Sequence, residues 1–130
     1  MGNFTNFTCC NRLHFNHFSE LFEFLDNENI ELDNMIFEVS KQIQLKNSIS
    51  KSSYLLELDY SIKNLKMELF DLYTFLDRVQ REKPEHVKEK IFTNVQKEVL
   101  AYYLSVKNDI NLLVSILFNF LEYKRIYYNN

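Results

Sequence analysis

Eight aliphatic residues, Leu55, Leu58, Ile62, Leu65, Leu69, Leu72, Leu76 and Val79, follow one another at alternating steps of three and four without a miss. Only a helix gathers that spacing onto one stripe, because a strand brings every second residue to the same face. Ser50 or Ser53 can cap the start, and Pro84 ends the helix because its ring cannot continue the hydrogen-bond ladder. The expected element covers about residues 51–82 and is about 45 Å long at 1.5 Å per residue. Met67, Phe70, Tyr73 and Phe75 widen the apolar stripe beyond a two-stranded coiled-coil-like seam, so this helix is expected to pack on more than one side.

Composition narrows what surrounds it. One Gly and one Pro in 130 residues cannot supply the positive-φ positions and tight turns that many-stranded folds, dinucleotide-binding loops or P-loops require. The expected fold is therefore all-α, an antiparallel bundle of four to five helices organised on the long one. Phe15, Phe18, Phe22 and Leu25 form a short aromatic stripe that Asp26-Asn27-Glu28-Asn29 would end as a turn. Leu32, Ile36, Val39 and Ile43 mark a second helix, with Asn29 as its cap and 46–53 as the connector onward. Beyond Pro84, Val87, Ile91, Val95, Val99, Tyr102 and Val106 mark a further helix, and Asn108 or Asp109 could cap a last one. Ile110 to Leu121 carries no charge; at 12 residues it falls short of the roughly 20 that cross a bilayer, and reads as the most buried helix. Residues 1–14 are expected as a flexible segment ahead of one domain, 15–130.

The net charge of −3 argues against a dedicated DNA binder, whose affinity comes from neutralised phosphates. Seven acids and no base lie between Leu13 and Ser40, whereas Arg78 to Lys97 holds six bases against three acids. A skew toward Asn, Phe, Lys, Ile and Tyr, with Ala101 the single alanine, reads as the coding composition of an AT-rich genome. Cys9 and Cys10 are adjacent, which suits no loop-closing disulfide, and no apolar signal segment precedes them, so the cytoplasm is the expected location.

Three small constellations offer chemistry. Cys10, His14 and His17 would share one face of a helix at i, i+4 and i+7, a weak candidate for a zinc site. Gly2 with Cys9 and Cys10 has the look of a dual-acylation signal, myristoyl plus palmitoyl, which would hold the protein at the cytoplasmic face of a membrane; Asn6 and Thr5 depart from its usual Ser/Thr spacing. Arg81-Glu82-Lys83-Pro84-Glu85-His86 resembles the Arg-x4-His spacing of the HEPN-type ribonucleases, metal-independent all-helical enzymes. That resemblance implies RNA as substrate, Arg81 on the phosphate being cleaved and His86 near the attacking hydroxyl.

A chain rich in helical apolar faces and poor in reactive groups offers others chiefly a surface. The expected function is non-enzymatic protein–protein contact of adaptor or inhibitor type, with another protein or a second copy as partner and no cofactor. Phe70, Tyr73 and Phe75 are the candidate interaction surface. The HEPN-like ribonuclease is the competing reading.

Overall fold

The computed structural model describes residues 14–44 and 53–128. Of these, 94% are helical, and there is no strand among them. They form three long rods: α1 (Phe18–Gln44), α2 (Ser53–Glu82), and a third built from α3 (Glu85–Asn94), a π-helical turn (Val95–Val99) and α4 (Leu100–Tyr128). The all-α expectation holds, and α2 occupies the predicted span. Where four or five helices were expected, three long ones are seen, because two expected breaks do not occur.

The first missing break is the Asp26–Asn29 turn. The α1 core residues Leu21, Leu25, Leu32 and Val39 keep a single helical phase across it, and the position between Leu25 and Leu32 is filled by Glu28, itself buried. With no Gly or Pro there, the polar residues cannot interrupt a stripe that tertiary packing covers. Asn29, expected as a cap, lies mid-helix. The helix starts near His17, where Glu20 reaches back to accept from the Asn16 backbone N–H at 2.8 Å and so satisfies a donor just ahead of the first turn.

The second missing break is at Asn108–Asp109, which α4 passes through. The change of register comes earlier. Asn94, Val95 and Leu100 all have right-handed helical dihedrals, so the rod is unbroken, but the π turn inserts one extra residue and rotates everything after it. A regular helix would turn Val95, Val99, Tyr102 and Val106 inward. Instead Val95, Leu100, Tyr103, Leu104 and Lys107 are buried, and Val99 and Tyr102 are exposed. Gln96, within the turn, accepts from the Phe15 backbone N–H at 2.7 Å and so fastens the start of α1 to the third rod.

The core joins Leu21, Leu25, Leu32 and Val39 of α1 to the α2 seam and to Val95, Leu100, Leu104, Ile110 and Leu117. Seven of the eight seam residues are buried, and Leu72 is partly so. At one end the rings close the bundle: Phe18 lies 4.9 Å from Phe92 and Phe22 4.8 Å from Tyr73. In the middle, Glu28 is 6% and Lys107 4% exposed. Lys107 Nζ donates to Glu28 Oε1 at 2.5 Å and to Glu31 Oε1 at 2.6 Å, and the Tyr103 hydroxyl donates to Glu28 Oε1 at 2.8 Å. A buried carboxylate is tolerated only with such partners, so this cluster fixes how α1 and α4 are aligned.

The Ile110–Leu121 segment is not the most buried helix. Ile110 and Leu117 are buried, but Leu112, Leu113, Ile116 and Phe120 are exposed. With three rods rather than five, neighbours cover only one side of it. By length and composition alone, the helix over Glu85–Tyr123 is apolar enough to cross a membrane.

Candidate functional site

The unusual feature of α2 is a second apolar stripe. Leu56, Tyr60, Met67 and Phe70 recur at steps of four, seven and three, in phase with one another and turned away from the buried seam, and all four are exposed. The breadth of this helix predicted packing on more than one side. Among the described residues, only the Leu55–Val79 seam side is packed.

Part of this stripe borders a groove between α1 and α2 with a volume of about 430 Å³, within the roughly 300–1,000 Å³ that recognition clefts occupy. Leu25 and Leu69, both buried, form its floor, and half-buried Tyr73 sits beside them, held against Phe22. Met67 and Phe70 form the α2 wall, and the Phe70 side reaches furthest into solvent, 68% exposed. The polar lining is Asp26 and Asn29 from α1 and Lys66 and Asp71 from α2. Lys66 Nζ is occupied by Asp33 Oδ1 at 3.3 Å, a bridge that ties the two helices together along the groove. Asp26 and Asp71 stand exposed on opposite walls, and neither takes part in an ion pair among the described residues. The site is thus an apolar trough with an acidic rim, suited to binding and offering no nucleophile or general base in a shielded setting.

Two of the three residues singled out from the sequence, Phe70 and Tyr73, line this groove. Phe75 is exposed but lies off it, because five residues of helix separate it from Phe70 by well over a quarter-turn. Leu25, Asp26 and Asn29 were missed, since nothing local in the sequence tells which part of α1 lies opposite Phe70. The one available signal was the excess width of the α2 stripe.

Among the described residues, none of the other candidates lines this groove. Arg81, in the last turn of α2, and His86, in the first turn of α3, flank Pro84; both are exposed, and the Arg81 Nε donates to Asp77 Oδ2 at 3.1 Å. His14 and His17 precede α1 and so do not share the helical face that the zinc reading required; His14 Nε2 lies 3.2 Å from Asn16 Oδ1. Among the described residues, no group of three His, Cys, Asp or Glu is placed to hold a metal ion. Cys10, and with it Gly2 and Cys9 of the acylation reading, lies outside the described residues. No protein-family model matches the chain, and neither a curated protein nor a solved structure does.

Proposed function

We propose that this protein acts by contact rather than catalysis, as a non-enzymatic adaptor or inhibitor whose α1–α2 groove receives an amphipathic helix of a partner protein. The observation that supports this reading is Phe70, a large ring left 68% exposed on the wall of a preformed apolar groove. Covering a ring that exposed removes about 140 Å² from water, or about 3.5 kcal/mol at 25 cal/mol per Å². That is the size of an interface hot spot. A helix is the fitting occupant because the groove runs between two antiparallel helices, and a third rod laid there would set its ridge of side chains against Leu25, Met67 and Phe70.

Phe70→Ala and Phe75→Ala test the reading together, since both rings are exposed on α2 and only one lines the groove. A partner cross-linked to residues 66–73 of the parent should bind the Phe70 variant on the order of 100-fold more weakly and the Phe75 variant as tightly as the parent. Equal binding by the two variants would refute the groove as the docking site. A second copy as the occupant would show itself as a concentration-dependent dimer abolished by Phe70→Ala.

A further inference from the structure

Between Ile110 and Leu121, α4 carries no charged residue, and a helix apolar on nearly every side is ordinarily a buried one. Here one side packs through Ile110 and Leu117, while Leu112, Leu113, Ile116, Phe120 and Tyr123 are exposed. Asp109, also exposed, continues the outer side toward the helix start. At 100° per residue, Asp109, Leu112, Ile116, Phe120 and Tyr123 fall into one row along that side, about 21 Å long. Their steps are three, four, four and three. The row therefore has the same spacing read from either end, with Ile116 at its centre.

We propose that this row is a homodimer interface, in which two copies of the chain pack α4 against α4, antiparallel, about a two-fold axis at Ile116. A two-fold interface uses one patch twice, so the patch must match itself when reversed. Reversal about Ile116 sets Ile116 against Ile116, Leu112 against Phe120, and Asp109 against Tyr123, and every position in the row meets another position of the row. The two central steps of four make a ridge of the kind that interlocks with its equivalent on a second helix. The area is sufficient as well. The five exposed apolar residues leave about 500 Å² uncovered on each copy, so a pair buries about 1,000 Å² before any polar rim is counted, which is where specific interfaces begin. A bilayer suits the row less well. Asp109 lies within it and exposed Asn119 lies beside it, and an aspartate at membrane depth costs about 2.5–3.5 kcal/mol, whereas at the rim of a protein interface it stays in water. The groove is lined by α1 and α2 alone, so this interface stands or falls independently of it.

Sedimentation velocity of the intact protein across the micromolar range tests the proposal. The parent should pass from monomer to dimer as concentration rises. Ile116→Arg brings two guanidinium groups together on the axis, and should weaken the dimer at least about 100-fold with far-ultraviolet dichroism unchanged. Phe70→Ala, in the groove, should dimerise as the parent does. Cross-linking in a Cys9→Ser/Cys10→Ser background reads the register without a disruptive substitution. Ile116→Cys meets its own copy and should oxidise readily to a covalent dimer; Leu112→Cys alone should not, and Leu112→Cys combined with Phe120→Cys should. A parent that stays monomeric, a dimer undiminished by Ile116→Arg, or an Ile116→Cys variant that cross-links no faster than Leu112→Cys overturns the interface. Recovery of the parent on phosphatidylcholine vesicles, abolished by Ile116→Arg, also overturns it and assigns the row to lipid.

Discussion

Lys107→Met isolates the energetics of the buried charge cluster. In the parent, Lys107 is paired with Glu28 and Glu31. Removing the ammonium affects the two acids unequally. The Glu31 side chain is more than half exposed and returns to water at little cost, whereas the Glu28 side chain is 8% exposed and cannot. Breaking a buried pair typically costs about 3–5 kcal/mol. The Tyr103 hydroxyl still donates to Glu28 at 2.8 Å, and a hydrogen bond to a charged group recovers roughly 1.5–3 kcal/mol of what an isolated carboxylate would lose. The expected destabilisation is therefore at the low end, about 3 kcal/mol, equivalent to a melting temperature about 10 °C lower for a chain of this size. Urea unfolding followed by far-ultraviolet dichroism measures it as a lower midpoint at unchanged slope. Adding Glu28→Leu and Tyr103→Phe removes the orphaned partners and extends the Leu21, Leu25, Leu32 stripe, so the triple variant should return to within about 1 kcal/mol of the parent. A Lys107→Met protein within about 1 kcal/mol of the parent would refute the view that Glu28 is a desolvated carboxylate dependent on its cation.

The same cluster sets a pH dependence. Burial, reinforced by the neighbouring Glu28 carboxylate, holds the Tyr103 hydroxyl protonated well above the ordinary tyrosine value of 10.0. Above that pH the unfolded chain releases this proton and the folded one keeps it, so stability is full below pH 10 and should fall by about 1.4 kcal/mol per unit above it; urea midpoints of Tyr103→Phe should fall less steeply over the same range. On α2, Ile62→Ala at a fully buried position should cost about 2–5 kcal/mol, and Met67→Ala on the exposed stripe under about 0.5 kcal/mol, which differential calorimetry can separate. Deleting Glu98 from the π turn should restore a regular helix with its inward face in register and leave the melting temperature nearly unchanged. Deleting Ser105 from the regular part rotates everything downstream by about 100° and should prevent cooperative unfolding.

The elements whose inward face repeats without interruption were legible from residue spacing alone. The Leu55–Val79 seam is the clearest, because its period is a local property of the chain and survives whatever packs upon it. The misreadings fall where a neighbour decided the outcome. Asp26-Asn27-Glu28-Asn29 reads as a turn until Lys107, nearly eighty residues away, is placed against Glu28 and makes a polar residue acceptable inside the helix. Val99 and Tyr102 read as core until the π turn shifts the register, and a one-residue insertion leaves little trace in a run where Val95, Val99 and Leu100 are all apolar. Phe70 and Tyr73 could be nominated as a surface, but Leu25, Asp26 and Asn29, which complete the groove opposite them, belong to α1.

By itself, the sequence determined that the chain is helical, where its central helix begins and ends, and that this helix carries more apolar surface than one seam can use. These follow from backbone geometry and from the dearth of glycine and proline, both read within a few turns of chain. The tertiary structure decided how many rods there are, which apolar residues are covered, and which polar ones meet. Those outcomes depend on distances between residues far apart along the chain, where desolvation of Glu28 and Lys107 and the coverage of each helix face are settled by the neighbour that arrives, not by the residues beside them.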